Sequence, residues 1–578
     1  MDGRPVDRYA LLAVARGEQI PDLVLRNARV VNVFTAEIEE TDVAVFGPYI
    51  AAVRRIPDAP NTIDLEGRFL APGFIDAHVH IESSLASPYQ FARAVVPRGT
   101  TTVVCDPHEI ANVHGIAGIQ YMLAASEGIP LDVRVMASSC VPATPLGTAG
   151  ASLDADALAD LARHPRVLGL AEVMNFPGVV AGDPDVWSKI ERFRDAVIDG
   201  HAPGLSGPGL AAYVAAGPGS DHECTTADEA REKLRLGMML FVREATNARN
   251  LRDLVPALTP ANFRRVALCT DDRQPPDLLD IGGIDHMIRM LIEEGIDPVE
   301  AIRMATLNPA EYFGLRDRGA ITPGRRADLV AFRDLQRPVI DLVLAGGRVV
   351  ARDGRDVGWP DAPRAEPPPP SMHVDWDAVR LEIPATQDRR EARAIRVIPD
   401  QIVTGEERVR PAVRDGRVVA DPERDILVMA VVERHHGTGR VGLGLVTGAG
   451  LRRGAIAGSI AHDHHNLIAI GADETSMLTA LRAVAATGGG LVVADGDHVL
   501  ASLPLPIGGL MSAEPIEVIR EWLDAVVGAA RQLGSPLHDP FMAMSFLGLE
   551  VIPKLKLTDL GLVDVDEFRT VDLWAPAI

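Results

Sequence analysis

The stretch Pro72-Gly73-Phe74-Ile75-Asp76-Ala77-His78-Val79-His80 decides the reading of this chain. Its apolar residues predict a buried strand, and it ends on two imidazoles two residues apart. Alternate side chains of a strand share a face, so His78 and His80 point the same way, roughly 6.6 Å apart along the chain, able to converge on one metal ion. At the C-terminal end of a barrel's first strand, such a pair opens an active site.

Context has to carry this motif. With 16 His in 578 residues, chance alone supplies about 0.4 His-x-His pairs, and a second pair does occur, His462-Asp463-His464. What distinguishes the first is the pattern after it. From residue 73 to 315, short apolar runs alternate with helical stretches, as in a parallel sheet with crossover helices. Eight strands are expected there: Gly73–Asp76, Thr102–Cys105, Val133–Met136, Val167–Ala171, Ala196–Asp199, a weak Ala215–Ser220, Leu240–Arg243 and Val266–Cys269. Eight such units suit a TIM-type (β/α)8 barrel, whose reactive residues sit at strand C-termini.

On either side of this region lies an internal echo, Asp22-Leu-Val-Leu-Arg-Asn-Ala-Arg-Val-Val31 and Asp341-Leu-Val-Leu-Ala-Gly-Gly-Arg-Val-Val350. It predicts two similar hairpins in one sheet, so residues 1–72 and 316–359 read as a composite β-sandwich domain into which the barrel is inserted. The run from Pro360 to Pro370 cannot continue a helix or a central strand, and residues 360–378 read as a linker. A C-terminal α/β domain over 379–578 follows, with a strand at Ile426–Val432 and a helix at Glu474–Ala486.

Composition narrows the class. A net charge of −23 argues against nucleic acid or an anionic membrane as partner. Cys105, Cys140, Cys224 and Cys269 have no paired spacing, which suggests neither a disulfide framework nor a thiolate metal cage. No long uncharged apolar run and no basic-then-apolar N-terminus are present, so a cytoplasmic location is expected.

Glu172 follows the fourth expected strand, His201 the fifth, His222 the sixth and Asp271 the eighth. A lone buried His is more often a hydrogen-bonded core residue, and a strand-end Asp or Glu more often a cap. Taken together with His78 and His80, however, they make four imidazoles and two carboxylates in strand order. Such a set can hold two divalent ions with Glu172 between them and lower the pKa of a shared water.

Longer strings carry a specific resemblance. Ala71-Pro-Gly-Phe-Ile-Asp-Ala-His-Val-His-Ile-Glu-Ser-Ser84, Cys105-Asp-Pro-His-Glu-Ile-Ala-Asn112, Ala171-Glu-Val-Met-Asn-Phe-Pro-Gly178, Asp199-Gly-His-Ala-Pro-Gly-Leu-Ser-Gly207, Ser220-Asp-His-Glu-Cys-Thr-Thr226 and Cys269-Thr-Asp-Asp-Arg273 resemble the bacterial adenine deaminase branch of the amidohydrolase superfamily. Ala461-His-Asp-His-His-Asn466 and Met544-Ser-Phe-Leu-Gly-Leu-Glu-Val-Ile-Pro553 resemble that family's terminal domain. Many superfamily members bridge their metals with a modified lysine; here Glu172 takes that place.

The resemblance implies hydrolysis of adenine to hypoxanthine and ammonia in purine salvage, with adenine and water as the small-molecule partners. It implies Mn2+ or Fe2+, two per chain. Proton carriers are sought by position among Asp271, Asp272, Glu82 and Glu223, with Asp272 preferred as a purine contact. His108, Glu109 and Asn112 are candidates to line the pocket, a loop-and-cap role being the alternative. The run His462–His465 has no carboxylate ladder of its own and reads as a loop that shapes or covers the pocket, or as a structural turn. A hydrolase acting on another aminopurine, a cyclic amide or an N-acyl group needs almost the same ligands. A non-catalytic scaffold on this fold would be expected to lose ligands, and none of the six is missing. The sequence leaves oligomeric state open, homo-oligomers being common among soluble enzymes.

Overall fold

The structure, a computed structural model, describes residues 7–57, 59–361, 365–385, 391–399 and 401–575. The extreme N-terminus and residues 362–364 of the Pro-rich run lie outside the described residues.

Eight parallel strands carry the central region: β1 (Phe74–Val79), β2 (Thr100–Cys105), β3 (Asp132–Ala137), β4 (Val167–Val173), β5 (Val197–Gly200), β6 (Ser220–Asp221), β7 (Met239–Arg243) and β8 (Val266–Cys269). They hydrogen-bond as a five-stranded sheet in the order β5-β4-β3-β2-β1 and a three-stranded sheet in the order β6-β7-β8. The expected sixth strand is corrected. Ala215 and Ala216 end a helix, Gly207–Ala216, and only Ser220–Asp221 pairs, with Met239 and Leu240. The intervening Gly217-Pro218-Gly219 explains this, since Pro lacks the ladder donor and Gly weakens a strand interior.

Contacts link the ends of the two sheets. Between β1 and β8, Asp271 N–H donates to His78 C=O at 3.0 Å, and Thr270 gives both its N–H (3.0 Å) and its hydroxyl (2.5 Å) to Asp76. Between β5 and β6, Gly219 N–H donates to Ile198 C=O at 2.8 Å, and Gly200 N–H to Ser220 Oγ at 3.2 Å. Ile75, Ala77, Val104, Met136, Ala171, Phe241, Ala267 and Cys269, from six of the eight strands, form one inner apolar cluster. Phe74, Val103, Val135, Leu170, Leu240 and Leu268 pack outward into a larger core. This is the alternation that period 2 demands.

Strands from both sides of this region form one continuous nine-stranded sheet rather than two hydrogen-bonded sheets. Its join is Phe69–Pro72, which runs parallel to Leu23–Asn32 and antiparallel to Leu329–Phe332. The echoed strings adopt different forms. Gly346-Gly347 turns the second copy into a hairpin between Ile340–Ala345 and Arg348–Arg352, with φ of 53° and 76°. In the first copy Asn27-Ala28 stands at the equivalent place, and the chain continues as one strand with a bulge between Leu25 and Ala28. Two glycines accept a left-handed reversal at little cost, whereas only Asn27, at φ 52°, does so in the first copy.

The C-terminal region builds a mixed eight-stranded sheet with Leu427–Val432 near its centre and the helix Glu474–Ala486 packed on it. Before it, residues 357–382 form neither helix nor strand where described, and Met372, Val374 and Trp376 lie against the C-terminal core. This region is fastened to the strand ends: Thr144 Oγ donates to Glu550 at 2.6 Å, Thr148 Oγ to Asp559 at 2.6 Å, and Asn466 Nδ2 to Thr148 C=O at 2.8 Å.

Candidate metal centre and active site

Two irregularities aim the key side chains inward. Since Ile75 and Ala77 face the inner cluster, strict alternation would send His78 outward with Phe74. A register shift against β2 between Asp76 and Val79 resets the phase, so that Val79 packs outward and His78 and His80 point in. On β4, Ala171 belongs to the inner cluster and Val173 to the outer one, and a shift between Ile198 and Gly200 on the β5 edge lets Glu172 join the interior. Bulges next to active sites commonly re-aim a side chain in this way.

The six side chains meet around Glu172. Its Oε1 lies 3.3 Å from His80 Nε2 and 3.8 Å from His78 Nε2. Asp271 Oδ1 is 3.2 Å and 3.8 Å from the same two nitrogens, which are 3.1 Å apart. The other oxygen, Oε2, faces His201 Nδ1 at 2.7 Å and His222 Nε2 at 3.2 Å. All six side chains are buried. The His78 and His222 rings stack at 4.1 Å, joining the two halves.

This geometry fits divalent metal ions. Ligands about 2.1 Å from an ion in tetrahedral array stand about 3.4 Å apart, and the spacings here cluster around that value. His201 Nε2 and His222 Nδ1 are buried with no hydrogen-bond partner among the described residues. Two imidazole pairs face opposite oxygens of one carboxylate, a donor set suited to divalent metal.

The surroundings maintain charge on the carboxylates. Burial works against ionised Glu172, yet His222 and His201 outweigh it and hold its carboxyl well below the usual range. Burial is likewise overcome at Asp271 by His80 and Arg243. Arg243, the last residue of β7, donates to Asp271 Oδ2 at 2.8 Å and also pairs with Glu223. No role for it was expected from the sequence, although a guanidinium ending an apolar strand is itself a signal. Backbone supports lie behind the histidines. Tyr213 hydroxyl accepts His201 N–H at 2.9 Å and donates to Val173 C=O at 2.8 Å. Lys233 Nζ donates to Ala202 C=O at 2.7 Å and pairs with Asp221 at 2.9 Å.

A small cavity opens over this cluster. His108, Glu109, Glu223 and Asp272 reach it, and so do His462, Asp463 and Phe546 from the C-terminal region. Glu82 and Asn112 do not line it. Glu82 Oε1 accepts Ile110 N–H at 3.3 Å, and burial together with Glu109 pushes its carboxyl up to about 8. Asn112 Nδ2 donates to the carbonyls of His108 (3.0 Å) and Cys140 (3.2 Å), a helix-and-loop tie. Asp272 accepts Ser83 Oγ–H at 2.5 Å, and burial with the charge of Asp271 pushes its carboxyl up to about 6. His108 joins the regions: its Nδ1 is 3.0 Å from Asp106 and 3.3 Å from Glu172, and its Nε2 is 3.7 Å from Asp463. Asp463 lies in the run read as shaping or covering the pocket and Phe546 in a string quoted only for its resemblance; that both reach this cavity, more than 350 residues from His108, was not itself readable from the sequence.

Comparisons with known proteins bear on this site. The amidohydrolase family model matches residues 69–350, and the model of the adenine deaminase C-terminal domain matches residues 401–569. Adenine deaminase of Desulfatibacillum aliphaticivorans is 52% identical over 566 residues, covering 98% of this chain and 99% of that protein. The adenine deaminase of Methanothrix thermoacetophila is 49% identical over 569 residues, with 98% and 99% covered. Among solved structures, a beta-aspartyl dipeptidase from Fervidobacterium islandicum superposes with TM-score 0.43 at 18% identity, covering 58% of this chain and 99% of that one.

Proposed function

We propose, from the premise that this chain belongs to the adenine deaminase family, that it hydrolyses adenine to hypoxanthine and ammonia. The observation that carries the reading is the position of Glu172, one oxygen toward His78, His80 and Asp271 and the other toward His201 and His222, beneath a cavity lined by further carboxylates.

These six residues would hold two divalent ions, Mn2+ or Fe2+. When bound, such ions lower the pKa of a water and so make hydroxide available near neutral pH for attack on C6. The chain's residues manage protons and position. Asp271, with one oxygen toward His80 and the other held by Arg243, accepts the proton of the attacking water. Asp272, with its raised carboxyl and its Ser83 contact, contacts the purine and delivers a proton to N1. Asp271 then passes its proton to the exocyclic nitrogen, and as the C6 carbonyl forms its hydroxyl proton returns to Asp272 while ammonia leaves. Glu109 and His108 wall the base, Glu223 keeps Arg243 in place, and Phe546 covers the ring and excludes water. Asn112 and Glu82 act from behind, by fixing the helix that begins at His108.

The same reading includes a closed (β/α)8 barrel, supported by the inner cluster shared by six strands and by the contacts at both sheet ends. It includes a composite β-domain around the barrel and a C-terminal domain over its mouth. A cytoplasmic location is supported by four unpaired, buried cysteines. Ammonia release from adenine, adenosine, N6-substituted adenines and cyclic amides, measured on protein reconstituted with Mn2+, tests the proposal. The expected result is turnover of free adenine with little on adenosine or polynucleotide. A cyclic amide as the preferred substrate, or no turnover of any purine by fully metallated protein, would overturn it.

A further inference from the structure

We infer that Glu109, His462 and His465 form a separate site for a single divalent transition-metal ion, at the joint between the barrel mouth and the C-terminal domain. Glu109 lies in the helix His108–His114 that follows β2, whereas His462 and His465 lie in the loop between the C-terminal strands Ala455–Gly458 and Leu467–Gly471. One ligand atom from each falls within 4.8 Å of the other two, and all three side chains are buried. His462 Nδ1 is 3.6 Å from Glu109 Oε1. An ion bound at about 2.1 Å needs ligand atoms within about 4.2 Å of one another, so adjustment of a few tenths of an ångström closes the triangle.

An independent observation points to a ligand. His465 is fully buried, and neither of its ring nitrogens has a hydrogen-bond partner among the described residues. Its position is held by the backbone instead, since its carbonyl accepts from the Arg434 guanidinium and its N–H donates to Ala461 C=O at 2.7 Å. Buried polar atoms of this kind are rare in folded proteins and call for a partner. The site shares no residue with the cluster around Glu172, and His462 stacks on Phe546 at 4.5 Å, which fixes its ring. Two imidazoles and one carboxylate suit zinc-like ions and leave a fourth position. Because Glu109 and His462 also line the cavity, that position opens toward the bound base, and the ion fastens the C-terminal loop to the barrel.

Metal analysis of the full chain, stripped with chelator and reloaded with Zn2+, tests this in parallel for wild type, His465→Gln and Glu172→Gln. His465→Gln is expected to lose one equivalent relative to wild type, and Glu172→Gln to keep the His465-dependent ion, so this site and the Glu172 centre are read separately. Crystals of the wild type with Zn2+ should give an anomalous peak bounded by Glu109, His462 and His465. Equal metal content in folded wild type and His465→Gln would overturn the inference, as would density there without anomalous signal, the mark of a buried water. If His465→Gln does not fold, the wild-type anomalous map alone decides.

Discussion

The chain holds two dense histidine groups, one at the ends of the central parallel strands and one at His462–His465, and they differ in where their carboxylates originate. In the first, Glu172 and Asp271 belong to the same parallel strands as the imidazoles, so the set is complete within one structural unit. In the second, the loop's own Asp463 is shared between His462 and His108, at 3.6 and 3.7 Å, while Glu109 faces His462 at 3.6 Å and Glu550 faces His464 at 3.4 Å. Neither Glu109 nor Glu550 belongs to the loop. A ligand set built on one scaffold can be read along the chain; a set assembled across a joint exists only after two regions dock.

Removing the bridge tests that distinction most severely. Glu172→Gln puts a neutral amide where the proposed metal centre needs a carboxylate, and turnover is expected to fall at least about a hundredfold with the fold retained. Steady-state ammonia release beside circular dichroism checks this, and near-normal turnover with full metal content would remove Glu172 from the centre. A smaller effect is expected across the joint. Asp463→Asn keeps the shape but removes the charge that faces His108, and a loss of about tenfold in kcat is expected from a residue that orients another. Unchanged kcat would make the C-terminal loop a cover with no hold on the chemistry at the strand ends.

Much of the first region was legible in the sequence because strand periodicity, strand order and ligand type all pointed the same way. Seven of the eight expected strands match observed ones along most of their length, the sixth shares only Ser220, and the helix Glu474–Ala486 has the expected bounds. The sixth failed because Ala-rich sequence before Gly217-Pro218-Gly219 favours a helix end over a strand. Alternation predicted that His78 and His80 share a face but could not say which, since the register shift that turns them inward depends on pairing with β2. Arg243 was readable in principle as a charge ending an apolar run. The loop His462–His465 was readable as a candidate pocket cover, but the pairing of Asp463 with His108 and the place of Phe546 were not, because nothing local marks a residue's partner in another region.

Smaller effects come from the residues that hold the two groups in place. Tyr213→Phe removes the hydroxyl that accepts His201 N–H and donates to Val173 C=O, with an expected cost of about 1 kcal/mol and a few-fold weaker metal retention. Chemical denaturation and chelator competition measure the two. If stability falls while metal retention is unchanged, Tyr213 supports the strand end and not the ligand.

At the joint itself, the subtlest effect concerns His114, the last residue of the helix that carries His108 and Glu109. Burial, and then the charges of Arg434 and His373, lower its pKa to about 4. An unfolded histidine titrates near 6.5. The folded value is the lower one, so the unfolded chain binds the proton more readily. The neutral side chain therefore contributes its full stability above about pH 6.5, and that contribution is lost as pH falls from there toward 4. Gln carries no proton in that range, so His114→Gln should lose less stability than wild type between pH 6.5 and 4, with the two acid slopes converging below it. Urea unfolding at several pH values across the window gives the comparison. Parallel slopes would mean that His114 meets the same environment folded and unfolded, and that the joint beside Arg434 is open enough for water to reach its ring.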